Sequence, residues 1–249
     1  MTQSHLSVQL YTVREAMQAD LEGTLARIAE IGFTRVEPYN FTDFAGLGPA
    51  LAANGLSAPT THVHFIGEDE TKLTSIFAAA KSLGIDRVID PHVDSKRWQA
   101  ASDIAATAAS LNAAARIAAD NGVTVGYHNH GHEVESIIDG RTALEIFADQ
   151  LEPAVGLEVD TYWVVVGGQD PVALLERLGD RVVAIHVKDG AATTDTKDQV
   201  AVGSGSLPIR AIIEAAPEAL RVIELDDCRG DRFTAIADSF AYLVKENLA

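Results

Sequence analysis

The chain has 249 residues, of which 47% are hydrophobic and 22% charged, a composition typical of globular proteins rather than disordered ones. Its 19 basic and 36 acidic residues give a formal charge of −17, which argues against a surface that binds the phosphate backbone of nucleic acids. The single cysteine, Cys228, excludes an internal disulfide and a cysteine-rich zinc site, and no apolar run is long enough to span a membrane.

Short β-rich segments alternate with alanine-rich helical segments along the whole chain. Eight strands are predicted, at residues 6–11, 34–38, 58–65, 87–92, 123–128, 155–160, 182–188 and 220–226. The clearest helices are predicted at residues 20–31, 70–83, 98–120, 170–178 and 236–247. Asp20 and Asp170 have the character of N-caps, and glycines 32, 55, 84, 122 and 179 stand where helices are expected to end.

This spacing, about thirty residues for each strand and helix, predicts a single (β/α)8 TIM barrel of the α/β class over residues 1–249. A doubly wound open sheet is the competing fold. It is disfavoured because the first turn, residues 11–14, lacks the glycines that cradle a phosphate.

Each predicted strand has an apolar face and an opposite face that becomes polar near the end of the strand. Because side chains alternate along a strand, the polar face points into the barrel when the apolar face meets the helices. The inward polar residues are Gln9, Glu37, His62, His64, His128, His130, Glu158, Asp160, His186, Lys188 and Glu224. Seven of the eight histidines, all except His5, lie in or just after the second half of a strand, where barrel enzymes have their active sites.

The inward carboxylates predict a bound cation. Glu37, Asp160, Glu224 and either Glu133 or Glu158 are expected to converge with the histidines at the strand ends. Burying several carboxylates together without a cation is costly, so a divalent metal is expected. The oxygen-rich donor set favours Mn²⁺ or Mg²⁺, and Co²⁺, Fe²⁺ and Zn²⁺ are also compatible. A purely structural polar network is the alternative interpretation.

At these positions the sequence resembles the xylose isomerase-like TIM barrel superfamily, and specifically its sugar phosphate isomerase/epimerase family. In chain order, the motifs that carry the resemblance are VQLYTVR at 8–14, YHNHGHE at 127–133, LEVDTYW at 157–163, GGQDP at 167–171, HVKD at 186–189, VGSG at 202–205 and IELD at 223–226. The resemblance implies that Asp160, His186 and Glu224 are metal ligands. It further implies Glu133 as the preferred first ligand, with His128 as the second choice.

The implied activity is that of a metal-dependent sugar isomerase or epimerase of carbohydrate metabolism, which removes the proton α to a carbonyl and passes through an enediolate. His128 or His130 is the predicted base, since imidazole titrates near neutral pH, and Glu224 is a further candidate. Lys188 would orient or protonate a substrate oxygen. The residues predicted to bind the sugar or keto-sugar substrate are Gln9, Glu37, His62, His64 and Trp163.

Other functions stay open at this point. The Tyr127-His128-Asn129-His130 stretch is similar to the Tyr-His-Pro-His stretch of inosose dehydratases, so a metal-dependent lyase is the main alternative: a keto-sugar or keto-inositol dehydratase, or an enzyme that eliminates 3-keto-glycosides. A non-enzymatic carbohydrate-binding barrel is another. The endonuclease activity found in the same superfamily is disfavoured by the net charge of −17.

The expected partners are therefore a small-molecule sugar and possible copies of the chain itself, with no nucleic acid and no membrane. Residues 1–5 lack a basic stretch followed by an apolar one, so no signal peptide and a cytoplasmic location are expected.

Overall fold

A computed structural model describes residues 5–249 and has the α/β architecture of a TIM barrel, which confirms the predicted fold class. The strands of the main sheet are β1 Leu6–Val8, β2 Thr60–His62, β3 Arg87–Asp90, β4 Thr124–His128, β5 Gly156–Asp160, β6 Val182–Val187 and β7 Leu220–Ile223. All seven run parallel, in the neighbour order β1-β7-β6-β5-β4-β3-β2.

The second predicted strand, residues 34–38, is wrong as a regular strand. The segment makes only isolated parallel bridges, which pair Gln9 with Glu37 and Tyr39 with His62. Pro38 has no N–H group, so it cannot donate to a continuous ladder of hydrogen bonds. The bridges still place this segment between β1 and β2, where it links the two ends of the seven-stranded sheet into a ring.

The helices that cover the sheet follow the predicted pattern. The α-helices are Arg14–Ala19, Leu21–Ile31, Leu47–Ala53, Glu70–Ser82, Ala101–Asp120, His132–Glu135, Ala143–Ala148, Thr161–Val166, Pro171–Leu178, Ile209–Ala215 and Arg232–Lys245. The 3₁₀-helices are Leu10–Val13, Phe41–Asp43, Ser95–Trp98, Gly179–Arg181 and Thr196–Asp198. Two short antiparallel ladders, Ile137–Ile138 with Arg141–Thr142 and Asp189–Gly190 with Gln199–Val200, lie in the loops that follow β4 and β6.

The predicted helix ends are largely confirmed. The carboxylate of Asp20 accepts a hydrogen bond from Gly23 N at 2.9 Å, and that of Asp170 accepts one from Val172 N at 2.9 Å, so both residues cap their helices. Gly32 ends the first of these helices with a φ of 118°, a conformation that glycine adopts without strain. The last helix begins earlier than predicted, because Asp231 caps it.

The space between the strands and the helices differs from the space inside the ring of strands. A continuous core lies between the strands and the helices. Inside the ring, small residues leave room at the N-terminal ends of the strands: a Cβ at Gly156 would lie 2.3 Å from Nη1 of Arg87, whose side chain occupies that space. The C-terminal half of the interior is polar.

Within residues 5–249, no helix combines the length and the apolar character that a membrane crossing requires. The expectation that the N-terminus carries no signal peptide falls mostly on residues 1–4, which lie outside the described residues. That residues 1–249 form one domain stays a prediction.

Candidate metal centre

The register of the parallel strands brings the predicted site residues side by side. His128 at the end of β4 pairs with Glu158 of β5, and Asp160 at the end of β5 pairs with His186 of β6. Glu224 follows directly on β7. All five residues are buried, so each is held in the interior of the barrel at the C-terminal ends of the strands.

Four of the buried side chains form a cluster that we call the histidine group: His62, His128, Glu158 and His186. One ligand atom from each lies within 4.8 Å of those of the others. Oε2 of Glu158 is 2.5 Å from Nε2 of His62, 3.1 Å from Nδ1 of His128 and 3.0 Å from Nε2 of His186. A single carboxylate oxygen is therefore surrounded by imidazole nitrogens from three different strands.

A second cluster, the carboxylate group, consists of Asp160, His186 and Glu224, whose ligand atoms also lie within 4.8 Å of one another. These are the three residues for which the sequence predicted a shared metal, and the structure brings them together. Nδ1 of His186 is 2.7 Å from Oε2 of Glu224. The ammonium of Lys188 lies 2.8 Å from Oδ2 of Asp160, 2.7 Å from Oε2 of Glu224 and 2.9 Å from Oδ2 of Asp226.

The charges of the two groups are strongly coupled. Burial opposes the charged form of His186, but the carboxylates of Glu158 and Glu224 outweigh it and raise the pKa of His186 well above its ordinary value. Burial likewise opposes the ammonium of Lys188, yet its carboxylate neighbours, Asp160 first, raise its pKa well above the usual range. Both side chains are therefore cationic at neutral pH.

Two other histidines are neutral. Burial lowers the pKa of His128 to about 3, and the positive charge of His186 adds to this effect. Burial also lowers the pKa of His130 well below its ordinary value, together with the nearby His128 and Lys188. An imidazole that is unprotonated at neutral pH can accept a proton, so both rings qualify as bases.

The pKa values of the buried carboxylates also shift in opposite directions. Burial raises the pKa of Asp160 to about 6 in spite of the ammonium of Lys188. Burial also raises the pKa of Glu37, and the neighbouring Glu158 adds to the rise. By contrast, Glu224 is buried but has its pKa held well below the ordinary value by Lys188 and His186.

The residues present fit a divalent cation. Oε1 of Glu158, Oε2 of Glu37 and Nδ1 of His128 are buried and make no hydrogen bond in the described part of the chain. Buried polar atoms normally have partners, so such atoms around one centre call for an explanation. Their mixture of imidazole nitrogens and carboxylate oxygens is the donor set of first-row divalent metals.

The preferred first ligand of the sequence analysis, Glu133, lies elsewhere. Its carboxylate accepts a hydrogen bond from the Tyr127 hydroxyl at 2.6 Å and from His130 N at 2.9 Å, and it joins neither group. Its burial raises its pKa to about 7, against the hydrogen bond from Tyr127. The structure thus places Glu133 as a support of the loop after β4, and it is Glu158 and His128 that stand beside His186.

The residues predicted to bind substrate lie in different parts of the site, from its buried base to its exposed mouth. Nε2 of Gln9 donates to Oε1 of Glu37 at 2.8 Å, and the carboxylate of Glu37 reaches His186 at 3.0 Å, so both are at the buried base of the site. His64 is at the mouth, with its side chain 62% exposed. Trp163 lies beside His130, with ring centroids 6.2 Å apart.

A cavity of about 240 Å³ opens over these groups at the C-terminal ends of the strands. The residues that line it are Tyr11, Tyr39, Asn40, His62, His64, Pro91, His92, His128, His130, Glu224 and Asp226. Four of these residues were not predicted from the sequence as site residues: Tyr39, Asn40, His92 and Asp226. His92 and Asp226 each end a predicted strand, which is a signal that could have found them. Tyr39 and Asn40 follow the irregular segment, where alternation gives no guide.

Comparison with known proteins supports the fold. The family described as xylose isomerase-like TIM barrel matches residues 25–220, well over half of the chain. A sugar phosphate isomerase/epimerase from Parabacteroides distasonis has a similar structure, with a TM-score of 0.79, 24% identity and coverage of 96% of this chain and 92% of that one. The structure of an IolI protein with a bound zinc atom has a TM-score of 0.75 at 17% identity, with 96% of each chain covered.

Two curated relatives are inosose dehydratases. The enzyme of Clostridium beijerinckii is 25% identical over 169 residues, which cover 62% of this chain and 54% of the relative. The enzyme of Geobacillus kaustophilus is 31% identical over 126 residues, which cover 47% of this chain and 40% of the relative. The matches therefore span about half, or less, of the length of these relatives.

Proposed function

The chain belongs to the xylose isomerase-like TIM barrel family, and we propose that it is a divalent-metal-dependent sugar isomerase or epimerase. The observation that carries this proposal is the convergence of Asp160, His186 and Glu224 in one buried cluster under a cavity whose lining includes His128 and His130, two imidazoles with lowered pKa values. This arrangement supports a reaction in which a proton is removed next to a carbonyl.

Asp160, His186 and Glu224 would hold the cation. When bound, a divalent ion supplies Lewis-acid polarisation of a substrate carbonyl and its neighbouring hydroxyl, which makes the α-proton more acidic. Asp160 is well placed for this task, because its backbone N–H donates to Oδ1 of Asn129 at 3.0 Å and its own Oδ1 accepts from Trp163 N at 3.0 Å. These bonds hold Asp160 so that Oδ2 of its carboxylate faces the cluster.

His130 is the proposed base. It lines the cavity, its Nδ1 has no hydrogen-bond partner among the described residues, and its lowered pKa keeps it unprotonated at neutral pH. It would take the proton from the carbon α to the carbonyl and return it to the adjacent carbon, which gives an isomer; an epimer would form if a second proton donor protonated the same carbon from the opposite face. His128 is the second candidate for this role.

Lys188 acts through its charge. Because its pKa is raised well above the usual range, the ammonium keeps its proton, and it orients Asp160 and Glu224 and stabilises negative charge that develops on substrate oxygens. The cavity residues include no arginine or lysine, and its volume of about 240 Å³ suits a molecule with one ring. Both features favour an uncharged, polyhydroxylated aldehyde or ketone over a sugar phosphate.

A substrate screen tests the proposal. Keto- and aldo-sugars, including oxidised glycosides, are incubated with Mn²⁺ or Co²⁺, and the products are analysed by mass. We expect products of unchanged mass, exchange of the α-proton in heavy water, and a loss of about 10²–10⁴-fold in kcat for His130→Ala. His5→Ala, at the opposite end of the barrel, is the matched control. Full activity of chelated Glu224→Gln protein would defeat the proposal.

A lyase is the second candidate, and the two inosose dehydratases among the relatives favour it. The same base would remove the same proton, but the bond from the β-carbon to its hydroxyl would then break, and the imidazolium of His130 would give its proton to the departing oxygen. The product would be lighter by one water, so the mass measurement separates the two reactions. Sugar binding that is unaffected by chelation, without any turnover, would indicate a non-enzymatic binding protein.

A further inference from the structure

The geometry points to a second cation position, held by the histidine group of His62, His128, Glu158 and His186, next to the one formed by the carboxylate group. This inference rests on the proposed metal-dependent function and extends it from one ion to two. The two groups share His186 but use different sides of its ring, so with both ions bound His186 would lose both ring N–H protons to solvent and bridge the ions as an imidazolate. Nδ1 faces Glu224 of the carboxylate group, and Nε2 faces Glu158 of the histidine group.

The distances in the histidine group match those within a coordination sphere. Ligand atoms at about 2.1 Å from one metal, at angles of 90° to 109°, lie about 3.0–3.4 Å from each other. The nitrogens of His128 and His186 lie 3.1 and 3.0 Å from Oε2 of Glu158, within this range, whereas that of His62 lies at 2.5 Å, a hydrogen-bond distance that would lengthen when both atoms bind a metal. All four side chains are more than nine-tenths buried, so their positions are set by the packing of the barrel.

Buried ligand atoms that make no hydrogen bond among the described residues also support a second cation position. Oε1 of Glu158 and Nδ1 of His128 have no hydrogen-bond partner within residues 5–249, although both side chains are buried. Glu37 adds a further oxygen, because Oε1 lies 3.3 Å from Nε2 of His62 while Oε2 makes no hydrogen bond in the same described region. A cluster held together by hydrogen bonds alone would be expected to satisfy these atoms.

The balance of charge favours two ions over one. Five carboxylates gather here, those of Glu37, Glu158, Asp160, Glu224 and Asp226, and once His186 has given up its protons to bind metal the only remaining cation of the protein among them is the ammonium of Lys188. One divalent ion with neutral imidazole ligands leaves two negative charges uncompensated, whereas two divalent ions with His186 as a bridging imidazolate leave one. The ammonium also lies against the carboxylate group, so the histidine group is where further positive charge is needed.

The two positions differ in their chemistry. Three imidazole nitrogens and one carboxylate oxygen suit Co²⁺ or Zn²⁺, whereas the carboxylate group is richer in oxygen and suits Mn²⁺ or Mg²⁺. Engagement of His128 by an ion leaves His130 as the free imidazole that faces the cavity. The second ion would thus divide the roles of the two adjacent neutral histidines.

The test counts bound ions directly. Wild-type protein is stripped by chelation and titrated with Co²⁺, followed by visible absorption and by elemental analysis after gel filtration. We expect two equivalents of Co²⁺ per chain in the wild type, one in Glu158→Gln and in His62→Gln, and one in Glu224→Gln. His64→Gln, two residues from His62 but exposed at the mouth, is the matched control and should retain two. Thermal unfolding of each stripped variant shows that it is folded.

Each outcome has a definite meaning. One equivalent in the wild type, or two in folded Glu158→Gln, overturns the second position. In the first of these cases the proposed metal-dependent function still stands if the remaining ion is lost in Glu224→Gln. No bound ion in the wild type overturns both proposals. Because the wild-type stoichiometry needs no variant, the inference is testable even if a substitution prevents folding.

Discussion

Replacing Lys188 by methionine should destabilise the protein strongly. The ammonium is 1% exposed and lies within 2.9 Å of oxygens of Asp160, Glu224 and Asp226. Methionine fills similar space but leaves these carboxylates without their cation. Removing one partner of a buried ion pair typically costs about 3–5 kcal/mol, because the remaining charge stays buried and unpaired. We expect a loss of this size in the free energy of unfolding at pH 7 in metal-free protein.

The pH dependence of this loss follows from the same charges. The pKa of Lys188 is raised on folding, so its stabilising contribution is complete below its unfolded pKa of about 10.4 and is lost only at higher pH. At pH 7 it is therefore fully present. Burial already raises the pKa of Asp160 to about 6, and removal of the ammonium would raise it further. In Lys188→Met, protonation of Asp160 should relieve part of the penalty, so the loss at pH 5 should be smaller than at pH 7.

Urea unfolding at pH 7 and pH 5 measures both effects. Lys72→Met, on the exposed face of the helix Glu70–Ser82, is the matched control and should change the free energy by no more than about 0.5 kcal/mol. A loss below about 1 kcal/mol for Lys188→Met, equal at both pH values, would refute the view that the ammonium compensates these carboxylates.

Three further predictions concern neighbouring features. Tyr127→Phe should cost about 1–3 kcal/mol in unfolding free energy, because the buried carboxylate of Glu133 loses the hydrogen bond that the Tyr127 hydroxyl donates to it. The metal content should be unchanged, and a loss of bound metal in folded protein would indicate that Glu133 is a ligand. Gly156→Ala should cost about 1–3 kcal/mol by chemical denaturation, since the new Cβ would collide with both methyl groups of Val183 as well as with the Arg87 guanidinium, and an unchanged stability would show that both side chains move aside freely. Lowering the pH should weaken cobalt binding about tenfold per pH unit for each proton that the metal displaces, and the first such proton is that of His186, whose pKa is raised. A cobalt titration at several pH values that shows no change in affinity would contradict this.

The parts of the site that the sequence predicted are those that lie on regular strands. Alternation placed Glu158 and Asp160 on one face of β5 and His186 and Lys188 on one face of β6, because the backbone of a strand fixes the direction of every side chain. Parallel register then brings the ends of neighbouring strands together, with Asp160 beside His186. Neither step needs knowledge of tertiary contacts, so a single sequence was sufficient for both.

Alternation gives no guide where this regularity ends. Glu133 is in the short helix His132–Glu135 after β4, where a side chain can turn toward the site or toward the loop, and the spacing of residues does not distinguish the two. The choice is made by the Tyr127 hydroxyl, which is available because Tyr127 is on the outer face of β4. The break in the second strand has a local cause in Pro38, but the neighbouring residues satisfied the strand pattern.

The division of roles among the histidines depends on tertiary structure alone. His130 and His186 have the same side chain and both lie at strand ends, yet one is neutral and the other positively charged. The difference arises because each nitrogen of His186 faces a carboxylate, Glu224 on one side and Glu158 on the other, whereas His130 is surrounded by other imidazoles and by Lys188. An imidazole with carboxylates on both sides is suited to hold positive charge or a metal ion. One that is buried beside other imidazoles and an ammonium remains unprotonated at neutral pH, and for this reason we propose His130, and not His186, as the base.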